Sequence, residues 1–239
     1  MKIALLFSGQ PRYLNDGYKT LYDNLLSKYD VDCFVHTWWD KKLAGKNVNF
    51  YNKLTYGRNC IYEEKTLETI VSLYNPKLMM YQKQKEFDIY PGDYAMANPL
   101  TTYSQWFSVL KTNELKNYYS EASGIYYDLT IRCRFDCNLI KFDIDLEDYL
   151  DTPFVHTKSG FHANENYEFI TDQFAISSTK VMDEYCSLYC NLEKYYQEGL
   201  GETKHGWVGE RLITYHLNSK GIKFKNIDPS KFDIDILKL

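Results

Sequence analysis

Apolar positions along this chain alternate between short continuous runs and helical stripes. Residues 2–7 (KIALLF) form a nearly unbroken apolar run, the pattern of a strand buried on both faces, as in a parallel sheet. Residues 16–29 then place Tyr18, Leu21, Tyr22, Leu25, Leu26 and Tyr29 at helical spacing. Strand character returns over 31–37 (VDCFVHT). The start therefore reads β-α-β, which implies a right-handed crossover onto a parallel sheet. Further on, the pattern predicts helices over 63–74, 101–119, 178–198 and 207–218. It predicts strands over 77–82, 126–134, 154–157, 167–176 and 222–227. In the long helix, Tyr103, Trp106, Phe107, Leu110 and Tyr118 share one face. Residues 38–60 and 84–100 read as loops, the second broken by Pro91-Gly92 and Asn98-Pro99. Gly221 is placed to cap the helix before it. The expected fold class is α/β, with a mostly parallel central sheet flanked by helices. No repeat, low-complexity stretch or linker interrupts the pattern, so residues 1–239 are expected to form one domain.

Composition narrows the class. Apolar residues are 44% and charged residues 25% of the 239, which suits a globular protein with a sizeable core. Aromatic residues reach 17%, and this excess argues against long disordered stretches. The net charge is -4 and no Lys/Arg run is present, so general nucleic-acid binding is disfavoured. No run approaches the roughly 20 apolar residues of a membrane span. The N-terminal apolar run is also too short for a secretory leader. The expected location is the cytoplasm; peripheral membrane contact and oligomeric state stay open. The cysteines, Cys33, Cys60, Cys133, Cys137, Cys186 and Cys190, contain no Cys-x-x-Cys pair and read as reduced thiols.

Four segments carry candidate chemistry. Ser8-Gly9-Gln10-Pro11-Arg12 follows the first strand, where ligands bind in open α/β sheets. Gly9 lets backbone approach a ligand and Arg12 can fork onto a phosphate; an ordinary tight turn is the competing reading. Arg132, Arg134 and Asp136 are spaced by two, so on an extended chain they point to one face. A diphosphate with a divalent cation would satisfy both signs of charge, as would a structural ion-pair network. Asp172 precedes an apolar run that leads into a helix, with Ser177 or Ser178 as its N-cap. His205-Gly206-Trp207-Val208-Gly209-Glu210 opens the last helix, where the dipole favours an ionised Glu210. A carboxylate there can accept a proton from a sugar hydroxyl. Trp38, Trp39 and Trp207 are placed for stacking on a sugar or base. His205 and His216 are candidate metal ligands, whereas His36, His156 and His162 read as structural. No His-Glu-x-x-His run and no Gly-x-Ser-x-Gly elbow is present, so zinc hydrolysis and acyl transfer are poorly supported.

Taken together, IALLFSGQPR, VDCFVHTW, SQWFSVLKTNELK, YDLTIRCRFD and TDQFAISS resemble a family of bacterial and viral glycosyltransferase-like proteins of the GT-A fold. Relatives of this kind are associated with lipopolysaccharide, capsule or viral surface glycan synthesis. The resemblance implies a single Rossmann-like domain, with residues 1–136 as the nucleotide-binding half and 137–239 as the acceptor side. It implies a nucleotide-sugar donor, UDP-linked by preference, a glycan acceptor, and Mn²⁺ or Mg²⁺. The family's Asp-x-Asp triplet corresponds to Arg134-Phe135-Asp136, which keeps only the second acid; Asp136 and His205 are then the expected metal ligands. Ser8, Gly9, Gln10, Arg12, Gln105, Lys111, Arg132, Arg134, Asp136 and Trp207 are expected to bind the donor. Gly206-Trp207-Val208-Gly209-Glu210 is similar to a Gly-Trp-Gly-Gly-Glu-Asp stretch of inverting galactosyltransferases, which makes Glu210 the candidate base and Asp172 its rival. Two competing functions are a sugar-phosphate nucleotidyltransferase and a non-catalytic carbohydrate-binding protein. The first lacks its usual Gly-rich opening loop here, and the second has no need of Arg132, Arg134 and Asp136.

Overall fold

The computed structural model describes residues 1–47, 61–88, 99–162, 167–200 and 207–237. Seven strands form the central sheet: β1 (Ile3–Gly9), β2 (Val31–Trp38), β3 (Leu78–Gln82), β4 (Leu129–Cys133), β6 (Phe154–Thr157), β9 (Phe174–Ser178) and β10 (Lys223–Asn226). Their order is β10-β6-β9-β4-β1-β2-β3. Every neighbouring pair is parallel except the two made by β9, which runs antiparallel to both β4 and β6. The sheet is thus mostly parallel and flanked by helices, as the sequence pattern predicts.

Both faces of the sheet are covered, which explains the unbroken apolar run of β1. Ile3, Leu5 and Phe7 join one core with α1 (Leu14–Leu21), α2 (Thr66–Tyr74) and the antiparallel pair β5 (Cys137–Phe142) and β11 (Phe232–Ile236). Ala4 and Leu6, on the opposite face, join a second core with α3 (Pro99–Ser123), α4 (Thr179–Cys186), α5 (Leu192–Gln197) and α6 (Gly209–Ser219). A small hairpin, β7 (Ser159–His162) and β8 (Tyr167–Ile170), lies outside the main sheet. No helix among the described residues is long and apolar enough to cross a membrane.

Several elements differ from their sequence patterns. The strand expected over 167–176 is two strands, because Thr171-Asp172-Gln173 breaks between β8 and β9. The helix expected over 178–198 is interrupted by a 3-10 turn at Ser187–Asn191. Ser178 occupies the N-cap position of α4 without capping it; its hydroxyl donates instead to the Thr152 carbonyl at 3.0 Å. Helix α1 starts at Leu14 and widens into a π turn over Tyr22–Leu26. Tyr22 and Tyr118, placed in the core by their spacing, are 47% and 66% exposed. Gly221 follows α6 with φ +68°, as expected of a cap. Cys33, Cys133, Cys137 and Cys186 are buried free thiols and Cys190 is an exposed one; Cys60 lies outside the described residues.

Gly17 couples α1 to the loop after β4. A Cβ there would stand 2.1 Å from the Phe135 carbonyl oxygen, a backbone atom with no side-chain freedom to yield. Gly17→Ala is expected to cost about 1–3 kcal/mol, the range for overpacking a closed site. A thermal melt checks this; a midpoint equal to the parent's would mean that α1 moves away at no cost.

A candidate anion-binding active site at the sheet edge

Topology brings the candidate residues together. β1, β2 and β4 are parallel, so their carboxyl ends share one edge. β9 runs the other way, so its first residues lie at that same edge. The register is direct: Phe7 aligns with Cys133, and Cys133 with Phe174. Residues just after β1 and β4, and just before β9, therefore meet, where ligands bind in open α/β sheets. They line a pocket of about 350 Å³ together with residues of α3 and the first turn of α6.

The loop after β1 is held from two sides. Gly9 sits at φ +108°, a conformation costly for any residue with a Cβ. Its amide donates to Ser108 Oγ on α3 at 2.8 Å, and its carbonyl accepts from Thr37 Oγ1 on β2 at 2.9 Å. Ser108 Oγ also contacts His36 Nδ1 at 2.7 Å. Burial and the nearby Lys111 charge push the His36 imidazole down to about 4. His36 is thus neutral near pH 7 and acts as a buried support for the loop. Within the loop, Arg12 donates to the Gln10 side chain through Nε at 3.0 Å and also through Nη2.

Arg134 and Asp136 meet by a turn, not by alignment on an extended strand as their spacing predicts. β4 ends at Cys133, and Phe135-Asp136 turn the chain into β5. Phe135 anchors this turn by stacking on Phe7 with centroids 5.2 Å apart. The turn lets Arg134 grip Asp136 with two bonds, Nε to Oδ1 and Nη2 to Oδ2, each 2.8 Å. Arg12 Nη1 stands 3.9 Å from Oδ2. Burial alone would raise the Asp136 carboxyl, but the two guanidinium charges outweigh it and hold the group below its ordinary value. The forked bond predicts that Asp136→Asn costs about 2 kcal/mol, since a charged acceptor disappears and Arg134 is left with Asp172 alone as counter-charge. The midpoint of a urea melt measures it, and an unchanged midpoint refutes it.

Arg132 stands apart from that pair. It lies within β4, opposite Leu6 and Ala175, on the face packed by α3, α4 and α6. Its side chain is 1% exposed yet lines the pocket, and Nε and Nη1 have no hydrogen-bond acceptor among the described residues.

Two further carboxyl groups close the opposite wall. Asp172 accepts a bond from Gln105 Nε2 on α3 and lies 3.9 Å from Arg134 Nη1. Glu210, in the first turn of α6, is pushed up to about 7 by burial and by the Asp172 charge, against weaker opposing pulls from backbone hydrogen bonding and Arg134. The helix dipole, invoked from sequence to keep Glu210 ionised, is outweighed by this burial.

The pocket thus gathers Ser8, Gly9, Gln10, Arg12, Gln105, Arg132, Arg134, Asp136, Asp172 and Glu210. Two expected members lie elsewhere. Lys111 is six residues from Gln105, about 120° around the helix. It pairs with Glu114 at 2.6 Å and lies 5.4 Å from the Phe107 ring centre. Trp207 is 1% exposed and packs between Tyr103 and Tyr196, with centroids 5.8 and 6.1 Å away. Its apolar rings drive it into the core below α6, so it does not stack on a ligand. Trp39 is likewise buried, against Tyr62, whereas Trp38 does line the pocket. His205 lies outside the described residues. His216 is buried in α6, bonded to Tyr195 Oη at 2.6 Å and the Glu184 carbonyl at 2.8 Å, and is absent from the pocket wall.

Gln84, Thr101, Ser104, Gln173 and Ile236 also line the pocket without having been singled out. A signal existed for part of this set. Thr101, Ser104, Gln105, Ser108 and Thr112 recur at helical spacing, a small polar stripe on a helix otherwise notable for its aromatic face. That stripe faces the loop after β1, where Ser108 and Thr112 bond Gly9 and the Phe7 carbonyl.

The residues present do not suit a divalent cation at Asp136. Both carboxylate oxygens are taken by Arg134, and a second guanidinium stands within 4 Å. A metal ligand bond of 2.0–2.6 Å would require either that Arg134 leave or that three cations share one carboxylate. Among the described residues no group of three His, Cys, Asp or Glu side chains is placed to hold a metal.

No protein-family model and no curated protein matches the chain. Among solved structures, the galactosyltransferase LgtC in complex with donor and acceptor sugar analogues superposes with a TM-score of 0.48, at 13% identity over 95% of this chain and 73% of that one. An active-site mutant of LgtC gives a TM-score of 0.46 at 12% identity, with the same coverage.

Proposed function

We propose that this protein is a glycosyltransferase that moves a sugar from a nucleotide-sugar donor, a UDP-sugar by preference, to a hydroxyl of a glycan acceptor. The observation that supports this most is the convergence of three guanidinium groups and a carboxyl poised near neutral pH in one pocket at the carboxyl edge of the sheet. Arg12, Arg132 and Arg134 provide a seat for the anionic leaving group. Glu210 provides a proton acceptor on the facing wall.

In a direct displacement, the acceptor oxygen attacks the anomeric carbon while the bond from that carbon to the diphosphate oxygen breaks. The acceptor hydroxyl proton passes to a carboxylate. Glu210 suits this role better than Asp172. Asp172 is held by Gln105 and faces Arg134, and its negative charge helps raise Glu210 into the range where a base is both available and strong enough. Asp172 is then a positioning residue.

A thermal-shift panel of nucleotide sugars tests the reading. A ligand at 100 times its Kd stabilises the fold by about 2.7 kcal/mol, a readily measured shift. At least one nucleotide sugar is expected to raise Tm and to be consumed when an acceptor glycan is added. Indifference to the whole panel would remove the proposal.

A further inference from the structure

The sequence expectation of a metal and the arrangement around Asp136 disagree, and the disagreement points to a different source of positive charge. Asp136 holds its two acceptor atoms against Arg134 and has a second guanidinium at 3.9 Å. Asp172 is likewise engaged, by Gln105 and Arg134. These carboxylates neutralise and orient arginines; they do not converge on an empty centre.

Arg132 is the second, independent observation. It is 1% exposed, it lines the pocket, and its Nε and Nη1 atoms have no acceptor among the described residues. An arginine cannot shed its proton to relieve burial. A buried charge with unmet donors is a standing cost to the fold, and an anion entering the pocket would remove it. Arg132 differs from Arg134 in this respect, because Arg134 is already matched by carboxylates on two sides.

We infer that the pocket binds a diphosphate group through guanidinium charge alone, with Arg132 as the principal donor and Arg12 and Arg134 beside it, and that no divalent cation takes part in holding it. The identity of the anion as a donor's diphosphate rests on the proposed function above; the anion site itself does not. Planar guanidinium forks match phosphate oxygens with two donors each and keep their charge at any physiological pH. They therefore supply both the neutralisation and the geometry that a metal would otherwise give.

The test uses inorganic pyrophosphate as probe, with the intact protein in EDTA and in Mn²⁺, read by calorimetric titration and by thermal shift. Binding in EDTA is expected. Arg132→Met is expected to weaken it about 10- to 100-fold, the loss of one or two charged hydrogen bonds, without lowering the Tm of the free protein. Arg132→Lys, which keeps the charge but not the fork, guards against a variant that fails to fold and is expected to fall between. Binding that appears only with Mn²⁺, or that is unchanged in both variants, or that is absent altogether, overturns the inference. Running the nucleotide-sugar panel beside it separates the two ideas. A nucleotide sugar that binds only with Mn²⁺ keeps the glycosyltransferase reading and sinks the metal-free site. Pyrophosphate binding through Arg132 in EDTA, with indifference to every nucleotide sugar, does the reverse.

Discussion

Glu210→Gln is expected to lower turnover by about 100- to 10,000-fold, the usual contribution of a positioned general base, with the fold retained. Gln keeps the size of the side chain and removes only its ability to take a proton. The pH profile carries the sharper evidence. Glu210 is pushed up to about 7 by burial and the Asp172 charge, so the parent's rate should climb through pH 7 as the carboxylate forms. The variant should lack that limb. Stability should move in the opposite sense. A carboxyl raised in the folded state stabilises most where it is protonated in both states, below its unfolded value of about 4.5, and that contribution is lost as pH rises through about 7. Glu210→Gln should therefore match the parent near pH 4.5 and exceed it by about 3 kcal/mol at pH 8. Initial rates and thermal melts from pH 4 to 9 measure both. An unchanged rate with an unchanged profile would return the role of base to Asp172.

Trp207→Ala is expected to destabilise the protein by about 3–5 kcal/mol, the range for removing a buried large aromatic. The ring is 1% exposed and lies between Tyr103 and Tyr196. The backbone around it is also fixed, since its carbonyl accepts from Thr102 Oγ1 at 3.1 Å. α6 begins two residues later, and Glu210 sits in its first turn. Activity should therefore fall with stability, and a filler such as Trp207→Phe should recover much of both. A stacking role would give another result: weaker ligand binding at unchanged Tm. Chemical denaturation of both variants distinguishes the two.

Trp207 shows where the sequence was misleading. A Trp between two glycines at a helix start has the same local signature whether it points outward or inward. Which it does depends on Tyr103 and Tyr196, distant in sequence. Lys111 is a similar case on a smaller scale: its presence on α3 was legible, its direction only by counting around from Gln105. By contrast, the α3 polar stripe from Thr101 to Thr112 is legible in the sequence, because its helical spacing is local. Strand β5 was harder, whereas β11 lies in a tail that alternates apolar and polar residues; the mixed pattern of β5 makes sense only when it pairs with β11 across some 90 residues of chain.

The fold class and the order of most elements were determined by the sequence itself. Burial on both faces imposes an unbroken apolar run on β1, and burial on one face imposes a stripe on a helix; both patterns are local. The segments that line the pocket were also visible, because glycine, charge and strand ends punctuate them. Tertiary structure decided how their side chains meet. Arg132, Arg134 and Asp136 have one spacing in sequence but two fates. The first is buried with spare donors, while the other two are folded onto each other by a turn that Phe7 and Gly17 hold in place. Charge balance in the pocket follows from those distances, and distances between remote residues are set by packing, not by local pattern.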